Sequence, residues 1–222
     1  MTELIVALDC DFEKAKHIVD ILSDRVKTFK VGPVLFVNDG LKILEYITSK
    51  NCNIFLDLKL HDIPNTVKET IRNIIRMPYN IYSLSIHISA GPSSIKAAKE
   101  AGEKKLKLWG VTVLTSIDSF EYPKIAFRYS LEHQVLHFAK LAAEVGIDGI
   151  ITSPRELYYL KKHIKGLEFI TPSIRLEKND DDQKRFLTPY EASSLGSNYI
   201  VVGRPVINSD DPISTCLLYT SP

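Results

Sequence analysis

The chain predicts an α/β protein of the (β/α)8 class, a closed barrel of eight parallel strands. Three observations carry that expectation. Short apolar runs alternate strictly with longer amphipathic stretches. Eight such runs fit into 222 residues, a count that favours closure over an open doubly wound sheet. The runs are almost wholly apolar, as strands covered on both faces must be. A flavodoxin-like open sheet, which normally uses fewer strands, is the alternative architecture.

The elements follow in order. Residues 4–8 form an apolar run ending in Asp9, and residues 12–22 place Phe12, Ala15, Ile18, Val19 and Leu22 at helical spacing. Residues 26–31 are the second strand, closed by Gly32-Pro33, and residues 34–47 return to helical periodicity. Residues 53–58 are apolar and β-branched; residues 64–76 read as a helix with Pro64 in its first turn. Strands at 81–88, 107–114, 147–151, 168–170 and 199–202 alternate with helices at 93–101, 131–145, 154–164 and 189–195. Together these make eight strands and at least seven helices, the TIM-barrel pattern.

Two connections exceed what a barrel requires, residues 115–130 and 171–188. Both follow strands, on the face where such barrels place their sites, so both are lid candidates. The acidic run Glu177-Lys178-Asn179-Asp180-Asp181-Asp182 within the second reads first as a solvated turn. Residues 1–212 are taken as the catalytic barrel and 213–222 as an atypical tail. Ile213-Ser214-Thr215-Cys216-Leu217-Leu218-Tyr219-Thr220-Ser221-Pro222 is poor helix composition, so the closing helix is expected to be truncated or replaced.

Net charge narrows the function classes. It is +1, from 28 basic and 27 acidic side chains, which argues against a general nucleic-acid or membrane-surface role while leaving room for a local cationic pocket. No stretch has the length of a membrane span, and the first apolar run lacks the length and basic flank of a signal peptide. Cys10, Cys52 and Cys216 are sparse and lack zinc-ligand or redox spacing, which fits a reducing, cytoplasmic setting.

Chemistry concentrates at the end of the third strand, Phe55-Leu56-Asp57-Leu58-Lys59-Leu60-His61-Asp62-Ile63-Pro64-Asn65-Thr66. Strand alternation would point Asp57 and Lys59 the same way, with Leu56 and Leu58 toward the helices. Taken alone, the pair reads equally well as a structural ion pair at a strand end. Asp9 closes the first strand and Lys30 lies on the second, so closure would aim Lys30, Asp57, Lys59 and Asp62 at one opening as alternating charge. The last strand ends Val202-Gly203-Arg204-Pro205. Glycine allows close backbone approach and arginine a planar fork, where barrels often bind phosphate. His133 and His137, four apart on a helix, read as a solvated or partly packed face rather than metal ligands. His87 either lines the site or packs at a strand end, and Trp109 belongs to the core.

These motifs together resemble the orotidine 5′-monophosphate decarboxylases over about residues 3–212. The most specific is Asp57-x-Lys59-x-x-Asp62-Ile63-Pro64-Asn65-Thr66. Ala7-Leu8-Asp9, Phe29-Lys30-Val31-Gly32, Leu114-Thr115-Ser116, Thr171-Pro172-x-Ile174-Arg175 with Asp182-Gln183-Lys184-Arg185, and Val202-Gly203-Arg204-Pro205 support it. The resemblance implies a cofactor-free, metal-free carboxy-lyase of pyrimidine biosynthesis that converts a nucleotide substrate to UMP. It implies Lys59 as proton donor to C6, Asp57 beside the substrate carboxylate, and Lys30 holding the charge array and contacting the ribose. Asp9 would bind a ribose hydroxyl and Ser116 the pyrimidine edge. Gln183, Gly203 and Arg204 would grip the phosphate, with the loop from Pro172 closing over it. Asp62 and Thr66 would reach the partner's site in a homodimer. Ser173 stands where the family commonly has glycine. Two alternatives remain at this point: a magnesium-dependent sugar-phosphate lyase sharing Asp-x-Lys-x-x-Asp, and a non-catalytic nucleotide-binding barrel.

Overall fold

The computed structural model describes residues 2–103, 105–125, 129–176 and 186–220. Eight strands close into a barrel in sequence order, with β1 pairing both β2 and β8 and every pairing parallel. The strands are β1 (Glu3–Ala7), β2 (Thr28–Val31), β3 (Asn53–Leu60), β4 (Ile81–His87), β5 (Lys107–Val111), β6 (Gly149–Ile151), β7 (Glu168–Thr171) and β8 (Tyr199–Val202). The helices are α1 (Phe12–Leu22), α2 (Pro33–Ser49), α3 (Pro64–Arg76), α4 (Pro92–Gly102), α5 (Leu131–Val145), α6 (Leu157–His163), α7 (Pro189–Ser194), α8 (Arg204–Ile207) and α9 (Pro212–Thr220). Among the described residues no helix is long and apolar enough to cross a membrane.

Period-two alternation sorts the strand side chains into two cores. Leu4, Val6, Ile54, Leu56, Ile200 and Val202 face outward into the layer shared with the helices. Ile5, Ala7, Phe55, Trp109, Ile170, Tyr199 and Val201 fill the barrel's inside. There Trp109 meets Phe55 edge-on at 4.7 Å and Tyr199 at 5.0 Å, and the Tyr82 and Tyr199 hydroxyls share a 2.8 Å hydrogen bond. Glu168 accepts from both Lys107 and the Trp109 indole at this lower end.

Element ends follow local capping chemistry. Asp11 accepts from the Lys14 amide to start α1, Ser130 caps α5, and Thr188 with Glu191 forms a capping box at α7. Two strands start later than the apolar pattern suggests, for one reason. The Val26 amide bonds the Leu22 carbonyl and the Ile147 amide bonds the Ala142 carbonyl, so both residues close the preceding helix instead of entering the sheet. The helix expected over residues 154–164 divides into a 3-10 turn (Pro154–Glu156) and α6, because Ser153 and Glu156 form a capping box that tightens the first turn.

The tail is helical despite its composition. Residues 212–220 form α9, which packs against α1, α8 and β1 with Cys216 and Tyr219 buried. Asp211 supplies the start signal by accepting from the Ser214 amide, and Pro212 follows at the first helical position. Burial on the barrel outweighs the weak propensity of this segment. Truncating Tyr219 to alanine is therefore expected to cost about 3 kcal/mol of stability, measured by urea denaturation. A loss under about 0.5 kcal/mol, the size of an ordinary surface change, would show that α9 does not brace the barrel.

Candidate active site

A cavity of about 480 Å³ opens at the C-terminal ends of the strands. Asp9, Lys30, Asp57, Lys59, Ser116, Pro172, Gly203 and Arg204 all line it, so the structure gathers eight of the sequence-selected residues in one place. Asp62 and Thr66 are not among its walls; they are exposed at the start of α3. Gln183 and the acidic run lie outside the described residues. His133 and His137 are exposed on α5, and among the described residues no cluster of ligating side chains could hold a metal. His87 meets the His61 ring at 5.6 Å in a tilted contact instead of lining the cavity, and burial with neighbouring His61 and Lys59 holds its imidazole below the usual histidine range.

The centre of the site is a carboxylate between two ammonium groups. Asp57 Oδ2 is 2.7 Å from Lys59 Nζ and 3.5 Å from Lys30 Nζ, and Lys30 also donates to Asp9 at 2.9 Å. Asp57 and Lys30 are buried, while the Lys59 side chain keeps about a third of its surface open to the cavity. Gly32 makes the Lys30–Asp9 contact possible: a Cβ there would lie 3.0 Å from the Asp9 carboxylate and 3.1 Å from Lys30 Nζ.

Burial alone would raise the Asp57 pKa, but Lys30 and Lys59 outweigh it and hold the group below the ordinary carboxylate range. Burial alone would lower the Lys30 pKa, but Asp57 and Asp9 outweigh it and raise the group.

Asp57 and Lys59 meet by a route that strand alternation does not describe. Lys59 has φ 49°, in the left-handed region, and the pairing of β3 with β4 slips between Leu56 and Leu60. That backbone costs roughly 1–2 kcal/mol for a residue with a Cβ. The sequence reading missed Ser85 on β4. Its buried hydroxyl accepts from the Lys59 amide at 2.8 Å and donates to Asp57 Oδ1 at 2.7 Å. It could have been found only through the register of two neighbouring strands. Thr152 and Arg175 also line the cavity without having been selected. Ser173, noted as a departure from glycine, sits at φ 63°, where glycine would be unstrained.

Beside Asp9, the cavity wall continues through Gly203 and Arg204 at the end of β8. Gly203 packs close to β1, where a Cβ would lie 3.3 Å from Ala7 Cβ, and Arg204 stands at the mouth as the first residue of α8. A family profile described as Orotidine 5'-phosphate decarboxylase / HUMPS matches residues 2–219. The chain belongs to this family. Among family members named orotidine 5'-phosphate decarboxylase, one from Carboxydothermus hydrogenoformans is 42% identical over 215 residues, covering 92% of this chain and 88% of its own. Another, from Wolbachia pipientis, is 38% identical over 221 residues, covering 98% and 97%. The crystal structure of orotidine 5'-phosphate decarboxylase from Lactobacillus acidophilus superposes with a TM-score of 0.85 at 33% identity, over the whole of both chains.

The charge cluster sets a pH window for stability. Asp57, depressed in the fold, contributes above the ordinary aspartate pKa of about 3.9 and loses that contribution as pH falls through its folded value. Lys30, raised in the fold, contributes below about 10.4 and loses that as pH rises through its folded value. Asp57→Asn leaves two ammonium groups facing each other and is expected to cost about 3 kcal/mol near neutral pH. The gap to the unsubstituted protein should close as pH drops below about 4, read by denaturant titration across pH. A constant gap down to pH about 2 would refute the assignment.

Proposed function

We propose that this enzyme decarboxylates orotidine 5′-monophosphate to UMP and CO2, a step of de novo pyrimidine synthesis, without metal or cofactor. The observation that carries the reading is the Asp57 carboxylate held between buried Lys30 and cavity-facing Lys59. The curated relatives' names and their near full-length coverage support the same substrate.

In the proposed step the bond between C6 and the carboxylate carbon breaks and CO2 leaves with its two oxygens. The electron pair stays on C6, in the plane of the ring, where resonance does not spread it. Lys59 stabilises that charge and then transfers a proton to it; the resulting amine is reprotonated from solvent. At about 4 Å and an effective dielectric near 20, one ammonium contributes about 4 kcal/mol to such a charge. Asp57 keeps the Lys59 ammonium aimed through their 2.7 Å contact. Lys30 holds Asp57 and Asp9 together and, with Asp9, meets the ribose. Ser116 takes the pyrimidine edge. Gly203, Arg204 and Gln183 hold the phosphate, with the loop from Pro172 as lid. Phosphate binding remote from C6 then drives closure.

The working form is proposed to be a homodimer. Val34, Val37 and Leu41 expose an apolar stripe on α2, Val34 reaches the cavity rim, and Ile63 is exposed just before α3. A second copy covering this face would bring its own Asp62 and Thr66 toward the cavity. The cytoplasmic setting rests on three free cysteines, two of them buried.

A spectrophotometric assay on orotidylate with chelator present tests the reaction. Turnover unaffected by chelation is expected; activity lost to chelation would favour a metal-dependent sugar-phosphate lyase. Lys59→Ala should lower kcat by more than about 1000-fold while UMP still binds. Arg204→Ala should raise KM by about 10- to 100-fold, the loss of a charged hydrogen bond. Near-normal turnover by Lys59→Ala would falsify the role assignment.

Subunit mixing tests the dimer. Lys59→Ala and Asp62→Ala chains, each nearly inactive alone, should regain about a quarter of full activity when randomised into mixed dimers, since half the dimers then carry one intact site. No recovery would show that Asp62 serves its own subunit.

A further inference from the structure

The slip between β3 and β4 has an unusual shape. Leu56 pairs with Leu84 and Leu60 with Ile86, so four steps along β3 oppose two along β4. Asp57, Leu58 and Lys59 make up the excursion, and Ser85 is the one β4 residue between the paired positions. Both chemically active members of β3 thus lie on backbone that the regular ladder does not hold. Ser85 supplies what the ladder lacks. Its hydroxyl has one proton and two lone pairs. The proton goes to Asp57 Oδ1 and a lone pair takes the Lys59 amide, which φ 49° has turned away from the sheet. The residue is fully buried, so solvent does not substitute for it.

We infer that Ser85 is the positioning residue for the Asp57–Lys59 pair, fixing the left-handed backbone that carries Lys59 and the carboxylate that orients its ammonium. The inference rests on the proposed decarboxylation, and it assigns Ser85 no contact with substrate. Its effect falls on the reacting end. Of the nucleotide-holding groups, Ser116, Gly203 and Arg204 come from the loops after β5 and β8, away from the excursion, and Asp9 and Lys30 keep their own 2.9 Å bond when Ser85 is changed. Without the hydroxyl, Lys59 relaxes toward ordinary strand backbone and its ammonium leaves the axis of the breaking bond.

Ser85→Ala and Ser85→Thr test this, with kcat, KM, UMP affinity and thermal midpoint measured for each. Ser85→Ala should lose about 10- to 100-fold in kcat, the cost of misplacing a reacting group by about 1 Å. KM and UMP affinity should stay within about threefold, and Ser85→Thr, which restores the hydroxyl, should recover most of the loss. A folded Ser85→Ala with kcat within about twofold of the parent, equal losses in kcat and UMP affinity, or a folded threonine variant as slow as alanine would each overturn the assignment. A crystal structure of Ser85→Ala gives an arm independent of turnover. Lys59 leaving the left-handed region supports the assignment, and an unchanged Lys59 backbone overturns it. Failure of the unsubstituted enzyme to consume orotidylate would instead strike at the functional reading.

Discussion

A buried carboxylate flanked by two ammonium groups is the constraint on which the rest of this structure depends. Removing Asp57, Lys30 and part of Lys59 from water costs several kcal/mol per ion unless each finds its partner. The three groups come from adjacent strands, so only a closed and correctly registered sheet brings them together. β2 delivers Lys30, the excursion on β3 delivers Asp57 and Lys59, and β1 adds Asp9 as a second anchor for Lys30. Gly32 leaves room for that anchor, and Ser85 occupies the gap opened in the ladder. Gly32 does so by lacking a Cβ, which would lie 3.0 Å from the Asp9 carboxylate, and Ser85 by supplying a hydroxyl to Asp57 and Lys59.

The barrel separates support from chemistry by alternation. Outward side chains of the strands merge with the helices into one continuous apolar layer, and inward ones run from rings and the Lys107–Glu168 pair at the lower end to the Asp57 cluster at the mouth. The charged groups thus stand on a rigid base in a surround of low polarity, where their mutual attraction is strongest. Helix starts and loops sit above, which leaves the region around Pro172 and Arg204 free to differ in shape without disturbing the base.

Much of the fold was legible because it depends on periodicity. Eight apolar runs, Pro64 at a helix start and the long post-strand connections all announced themselves in local sequence. Strand limits were less so: Val26 and Ile147 look like strand residues, yet their amides close helices, a choice made by backbone geometry. That residues 212–220 would be helical was not legible, because propensity is local and the burial of Cys216 and Tyr219 is not. In the site, the charged strand ends were visible as apolar runs broken by Asp and Lys. Ser85 was invisible, since a lone serine in Ile81–His87 says nothing until β4 is set against β3. Strand alternation placed Asp57 and Lys59 together, while the actual route is a left-handed residue within a slipped ladder. Asp62 and Thr66 were selected by motif, and one chain's geometry leaves them outside its own cavity.

The ring cluster of Phe55, Trp109, Tyr82 and Tyr199 has a consequence for traffic. It plugs the barrel from below, so among the described residues the cavity is reached from the ends of the strands. On the proposed reading, product leaves by the side on which substrate arrived.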